Sequence, residues 1–412
     1  YGWVIVGCSM AANFSRQGAA VATLSVFVVP MSQEFGWSMT EFSGAVSLGG
    51  VLGALISPKI GFVVDRGGVG KVLAIGTLLI GVSLLALSQT SSLIWFYIAF
   101  CLGRMVFAGP FEIAITSAAA NWFIQLRGRA MSFATLAHSI GLTVLPLIAF
   151  AAINQWDWRF GWISVAITVM LFGVFPNIFF MIQRPEDVGL SPYANSARAS
   201  ETFGQTSDKS INPETSFTLR EASRTRAFWM LIAFSLFIYP VQAGVSLHQA
   251  PHLFDRGISL GIAATAVSMF SFSAAIGGMI FGQTEARFGV RKSLAAGAWL
   301  MSLGTATMLV VSDVWMAFLS AVIFGAGIGG LMTLLPVAWA NNFGRENLGS
   351  IRGGTLPIQT LAQASGPLIS GILFDISDGY SLSLTLFTIL AGIAGLLALY
   401  VDKPSQKRRC IL

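Results

Sequence analysis

Twelve apolar runs restrict this chain more than any other feature. They lie near 3–29, 41–60, 72–90, 93–120, 130–153, 159–182, 227–248, 260–284, 293–312, 314–340, 353–374 and 381–401, and a membrane-spanning helix needs about 20 such residues. In hydrocarbon every backbone N–H and C=O must be paired within the protein, so runs of this length are read as helices. One long polar stretch, 183–226, splits the runs into six and six, and its Ser, Asn, Asp and Thr content reads as a linker. The expected organisation is a six-helix bundle over 1–182, the linker over 183–226, a second bundle over 227–401 and a tail over 402–412. The end of the linker, "TLREASRTR", is expected to form a short amphipathic surface helix. Only 10% of the residues are charged, against about 25% in soluble domains, so the solvent is the bilayer.

Basic residues orient the runs. Of 24 lysines and arginines, 20 fall in loops on the linker's side, two (Arg159 and Arg256) on the other side, and two (Arg16 and Arg104) inside apolar runs. The positive-inside rule places the linker and both termini in the cytoplasm of a cell whose inner (plasma) membrane the chain crosses. The net charge of +6 thereby reflects topology and gives no reason to expect a nucleic-acid partner.

The halves are related at an offset of 221 residues. Pro30, Gly36 and Ser38 map onto Pro251, Gly257 and Ser259; Gly61, Arg66 and Gly68 onto Gly282, Arg287 and Gly289; Gly109, Gly128 and Pro146 onto Gly330, Gly349 and Pro367. Glycine and proline mark backbone constraints, so shared spacing argues for a duplicated six-helix unit. With the duplication in view, "GFVVDRGGVGK" (61–71) resembles the signature loop of the major facilitator superfamily, matching it at Gly61, Asp65, Arg66, Gly68 and Lys71. The second copy, "GQTEARFGVRK", has Ala286 in place of the aspartate. The resemblance implies an all-α fold of twelve transmembrane helices in two pseudo-symmetric bundles. It further implies a secondary transporter working by alternating access, with the loop gating and its basic residues contacting the neighbouring bundle. "NWFIQLRGRAMSFATLAHSIG" (121–141), "EFGWS", "RPEDVGL" and "HLFDRGIS" are similar to bacterial monocarboxylate porters and oxalate/formate antiporters. Those relatives use charged residues in the eighth helix, whereas 260–284 carries none, so their substrate residues do not transfer.

The candidate site comes instead from polar residues inside the runs. Arg16 stands about 20 Å along the first run, near mid-membrane, where an unpaired charge costs at least about 2.5–3.5 kcal/mol. Asn13, Arg16 and Gln17 form a narrow polar stripe there, which faces protein or water rather than lipid. In the fourth run, Arg104 and Glu112 are eight residues apart, or about 80° around and about 12 Å along one helix, too far to pair directly. Each then needs a partner on another helix or a ligand. Glu112 and His138 have similar depth, which permits a contact, and are candidates for proton coupling. A structural pair between Arg16 and Glu112 is the alternative. From the second half, Tyr239, Gln242, Gln359 and Gln363 offer neutral hydrogen-bonding groups; together with Asn13, Arg16, Gln17 and Arg104 they make the candidate substrate site. Arg352 is counted at the cytoplasmic edge of the eleventh run.

Other chemistries find no support. His248 and His252 in "HQAPH" flank Pro251 where the seventh run is expected to end in an outer loop, without metal-ligand spacing around them. No cofactor, metal or catalytic residue is expected. The chain is read as a monomeric, non-enzymatic transporter. Two intramembrane arginines against one glutamate leave an excess positive charge, which a small organic anion, a mono- or dicarboxylate, would neutralise. Two alternatives stand beside this: an exporter of drugs or neutral solutes, and a transport-inactive solute sensor.

Overall fold

The computed structural model describes residues 1–37, 39–124, 126–190, 216–377, 379–402 and 404. Most of the linker and of the tail lie outside the described residues. Before the linker come α1 (Gly2–Arg16), α2 (Val21–Phe35), α3 (Met39–Val63), α4 (Val69–Ser88), α5 (Leu93–Ala108), α6 (Pro110–Trp122), α7 (Arg127–Gln155) and α8 (Trp158–Phe179). After it come α9 (Leu219–Ala222), α10 (Arg226–Asp255), α11 (Leu260–Phe288), α12 (Val290–Leu309), α13 (Val314–Phe343), α14 (Leu348–Ser377) and α15 (Ser381–Leu399). With α1–α2 and α5–α6 each forming one interrupted rod and α9 a single turn, the described residues form twelve rods, six in each half. Among the described residues, eight continuous helical stretches qualify as membrane spans by length and hydropathy alone, one of them, Gly44–Ser88, holding most of α3 and all of α4.

Within the halves, α4 packs on α8, α12 on α13 and α15, and α10 on α14. Between them, α3 meets α14 and α7 meets α11, and the glycines that reveal the duplication make both crossings. A Cβ on Gly61 would sit 2.2 Å from the Gly349 carbonyl oxygen, and one on Gly349 2.6 Å from that of Gly61. The symmetry-related pair repeats this: a Cβ on Gly282 would lie 2.5 Å from the Gly128 oxygen, and one on Gly128 2.7 Å from the Gly282 oxygen. At the 221-residue offset Gly61 corresponds to Gly282 and Gly128 to Gly349. Each half therefore gives one glycine to each crossing, at the linker end of its helices, where backbones touch without side chains between them.

Several expectations are corrected. The first run is broken by a 3-10 turn over Gln17–Ala19, with Ala20 extended (φ −75°, ψ 155°) before α2 starts. The fourth is broken at Gly109 (φ −124°, ψ −73°) because Pro110 lacks an N–H and opens α6 as its first residue. The short helix expected in "TLREASRTR" is a single turn, Leu219–Ala222, opened by a capping box between Thr218 and Glu221, and the last residue of the stretch, Arg226, already begins α10. "HQAPH" is no loop: α10 continues through Pro251 to Asp255, and His252 Nε2 lies 2.9 Å from the Met308 carbonyl oxygen.

Candidate functional site

Both breaks open onto one cavity. Its lining includes Asn13, Arg16, Gln17, Arg104, Glu112, His138, Tyr239, Gln242, Gln359 and Gln363, so every residue proposed from sequence for substrate or proton handling meets there. Its volume is about 340 Å³, near the lower end of the roughly 300–1,000 Å³ typical of small-molecule sites.

At the first break, Thr23 Oγ1 donates to the Gln17 carbonyl (2.7 Å), which also accepts from the Ala20 N–H (3.0 Å). The interruption is thus hydrogen-bonded rather than frayed, as buried backbone requires. It holds the polar stripe in place. Asn13 Nδ2 donates to the Ala134 carbonyl (2.7 Å), while Gln17 Nε2 donates to the Asn13 carbonyl (3.0 Å) and to His138 Nδ1 (2.8 Å). An amide NH2 only donates, so Nδ1 of His138 accepts and carries no proton in this arrangement. His138 therefore turns to Gln17, and no hydrogen bond joins it to Glu112 among the described residues.

At the second break, Gly109 packs so tightly on α3 that a Cβ would lie 2.5 Å from the Gly53 oxygen and 2.5 Å from Ser57 Oγ. The kink puts Glu112 in the first turn of α6, where the helix dipole favours a carboxylate. Glu112 Oε2 accepts from Arg16 Nη1 (2.9 Å) and Oε1 from Arg352 Nη2 (3.4 Å), and its side chain keeps 31% exposure. The pairing of Arg16 with Glu112 is the alternative that the sequence left open.

Arg352 is the residue that sequence reasoning misplaced. It is 1% exposed, and its Nη1 donates to Gln359 Oε1 (3.1 Å), whose Nε2 in turn reaches Ser235 Oγ (3.4 Å). α14 starts at Leu348, so Arg352 is already about 6 Å along the helix at 1.5 Å per residue, and its long side chain reaches further in. Gln359 is consequently occupied in holding Arg352. The intramembrane count becomes three arginines, two of them on Glu112, against one glutamate, so the excess is two positive charges rather than one.

Arg104 makes no hydrogen bond or ion pair among the described residues. Its guanidinium lies 4.3 Å from the centre of the Phe107 ring, and that of Arg16 lies 4.6 Å from the same ring. A ring shared by two cations offsets part of their desolvation but neutralises neither. Opposite, Gln363 Nε2 donates to Gln242 Oε1 (2.8 Å), and the Tyr239 hydroxyl has no hydrogen-bond partner among the described residues.

The signature loop lies away from the cavity, at the linker end. Gly67, in the left-handed region at φ 101°, turns the chain between α3 and α4. Asp65 reaches into the other half: its Oδ1 accepts from the Gly349 N–H and its Oδ2 from the Ser350 N–H, each at 2.7 Å. It thereby caps the first turn of α14. Gly61 makes the crossing described above, and Gly68 is buried against Val63. The expectation that the basic residues contact the neighbouring bundle is corrected for Arg66, which stacks on Phe62 of its own helix (4.0 Å); Lys71 is exposed. In the second copy Glu285, one position before Ala286, accepts from Asn341 Nδ2 (3.0 Å), and Asn341 Oδ1 accepts from Arg127 Nη1 (2.9 Å) across the halves. Glu186 in the linker pairs with Arg345, which also donates to the Asn121 carbonyl (2.9 Å). These contacts between the halves seal the linker end beneath the cavity.

The sequence profile of the Major Facilitator Superfamily matches residues 9–250 and 243–410. The uncharacterised MFS-type transporter YcxA of Bacillus subtilis is 23% identical over 92% of this chain and 91% of its own length. The membrane sensor protein UhpC of Escherichia coli is 21% identical over 82% of this chain and 78% of its own. Two solved folds superpose closely. The proton:xylose symporter XylE has a TM-score of 0.77 at 16% identity, covering 98% of this chain and 96% of its own. FucP in its outward conformation has 0.73 at 12%, covering 98% and 100%. At such identities these two speak for the fold alone. The duplicated bundles, the signature loop between α3 and α4 and the profile match over nearly the whole chain agree, and the chain belongs to the Major Facilitator Superfamily of multi-pass membrane transporters.

Proposed function

We propose that this member of the superfamily carries a small organic anion, a mono- or dicarboxylate, by alternating access and together with a proton. One observation carries the reading: two guanidiniums, Arg16 and Arg104, line a small cavity at membrane depth with one carboxylate, Glu112, which is already shared between Arg16 and the buried Arg352 behind it. Guanidinium matches a carboxylate bidentately, and Arg104 has no acidic partner among the described residues to give up first. Arg16 then completes the anion site from across Phe107.

Coupling follows from the same ion pairs. An anion that draws Arg16 away leaves Glu112 with weaker compensation, and a proton restores the balance, so anion and proton favour each other's binding. Because Glu112 also holds Arg352 of the other half, protonating it loosens a tie between the bundles. With the linker in the cytoplasm, as the basic loops indicate, the sealed linker end is the cytoplasmic gate. Asp65 on the first turn of α14 then acts as its latch. Counterflow in proteoliposomes tests the proposal: labelled carboxylates should exchange, and lipophilic cations should not. Exchange of cations without carboxylates contradicts it.

The similarity to the sensor UhpC supports a second reading, a transport-inactive solute sensor. Accumulation of solute in proteoliposomes excludes that reading; tight binding without any flux favours it.

A further inference from the structure

The anion reading accounts for one wall of the cavity and leaves the opposite one unused. That wall holds the Gln242–Gln363 pair, joined at 2.8 Å, with Tyr239 and Thr360 beside it, all partly exposed and all lining the cavity. Each amide has two N–H donors and a carbonyl with two lone pairs. One hydrogen bond between them leaves an NH2 on one glutamine and a carbonyl on the other, and this holds whichever way the two amides are turned. Thr360 Oγ1 donates its proton to the Leu356 carbonyl (3.0 Å) and keeps its acceptor lone pairs, and the Tyr239 hydroxyl has no partner among the described residues. Donors and acceptors therefore stand side by side, without charge, in the same cavity that Arg16 and Arg104 line from the first half.

An alkyl chain placed there would cover these groups and give them nothing in return. A hydroxyl both donates and accepts, so neighbouring hydroxyls on one substrate satisfy the pair. Resting on the anion reading above, we propose that the substrate is a small hydroxylated carboxylate, a hydroxy acid or sugar acid. Its carboxylate lies on Arg104 and Arg16, and its hydroxyls lie on the Gln242–Gln363 pair. Those two glutamines are the specificity-determining residues, rejecting deoxy carboxylates of the same length and charge. A site built to hydrogen-bond a hydroxyl discriminates strongly against the analogue that lacks it, because its own polar groups are left unpaired.

The test is calorimetric titration of the purified full chain in nanodiscs with matched pairs: glycolate and acetate, lactate and propionate, malate and succinate, gluconate and hexanoate, with sorbitol as the uncharged control. At least one hydroxylated member should bind tenfold or more tightly than its deoxy partner. Gln363→Leu and, as an independent variant, Gln242→Met should weaken that member at least tenfold and leave the deoxy partner within about twofold. Arg104→Gln should weaken both. Variant folding is checked by melting temperature. Equal binding within every pair overturns the hydroxyl proposal and leaves the anion reading intact. Sorbitol binding as tightly as gluconate overturns the anion reading itself, and no binding by any hydroxylated member overturns the proposal.

Discussion

The two halves share a fold and differ in how they use it. In the first, two rods that line the cavity are broken, at Gln17–Ala19 and at Gly109; in the second, their counterparts α10 and α13 run unbroken for 30 residues each. The local cause at the second break is one residue: "AGPF" at 108–111 faces "GGLM" at 329–332, and only the first has a proline to end a helix. Charge follows the same division. At the 221-residue offset Arg104 corresponds to Gly325, Glu112 to Thr333 and His138 to Gln359, while Arg352 corresponds to Met131. Three ionisable positions of the first half are neutral in the second, and the single reverse case, Arg352, is the one that reaches back to Glu112. Duplication supplied the scaffold. Breaks and charges in one copy supplied a site, and the other copy supplied a neutral wall and one anchoring arginine.

The largest expected effect breaks this division at its acid. Glu112→Gln keeps the side chain's shape and cannot gain or lose a proton. It should still exchange labelled for unlabelled substrate across proteoliposomes but fail to accumulate it when a pH gradient is imposed. Accumulation equal to wild type sends the proton elsewhere, with His138 the next residue to replace.

The second contrast lies between the two copies of the signature loop. Asp65 makes two charge-assisted bonds to the other half, each worth about 1.5–3 kcal/mol, whereas Glu285 lies against Gly128 of the other half and accepts from Asn341, the acceptor for Arg127. Asp65→Asn should slow turnover roughly tenfold with substrate affinity nearly kept, and Glu285→Gln should slow it less. Equal effects, or a collapse of binding in Asp65→Asn, break the contrast between the copies.

Arg352→Met places in the second half the residue that the first has at that position. It removes one of two arginines from Glu112 and should raise cysteine labelling at the linker end, with a severalfold change expected from the loss of a single long 3.4 Å contact. Labelling unchanged from wild type assigns Arg352 to packing alone.

The smallest effect lies at the opposite end of the first half. Hydrogen bonds from Arg159 and Trp158 Nε1 hold the Glu34 carboxyl below its usual value. A depressed carboxyl stabilises the fold above its ordinary range and loses that contribution as pH falls through the lowered value. Glu34→Gln should therefore melt slightly below wild type at neutral pH, with the gap closing in acid. Because the pair is exposed, its contribution is small. A gap that widens in acid contradicts the assignment.

The fold was legible because hydrophobic length and glycine spacing are local signals: the runs gave the rods, and Gly61, Gly128, Gly282 and Gly349 proved to be the two backbone crossings. The cavity lining was legible too, since a polar residue deep in an apolar run has few places to face. Pairing within the cavity was not legible. Arg352 was assigned to a loop because the apolar run begins one residue after it, while the helix begins four residues before it. Its counterpart Met131, inside a run, was the available hint. Pro110 announced the kink at Gly109, yet apolar continuity around it masked the signal. The break after Gln17 has no proline; it depends on Thr23 reaching the Gln17 carbonyl, a contact that no sequence period encodes.

The claim at the centre of this account is that the anion sits in the first half, on an arginine with no acidic partner among the described residues. Titration of the carboxylate panel into wild type and Arg104→Gln measures it most directly. Removing a charged hydrogen-bonding contact worth about 1.5–3 kcal/mol should weaken the best anion tenfold to a hundredfold. Folding should be largely unimpaired, since Arg104 makes no hydrogen bond or ion pair among the described residues and its guanidinium rests on the Phe107 ring face. Unchanged affinity in well-folded Arg104→Gln would contradict the account and move the anion elsewhere in the cavity.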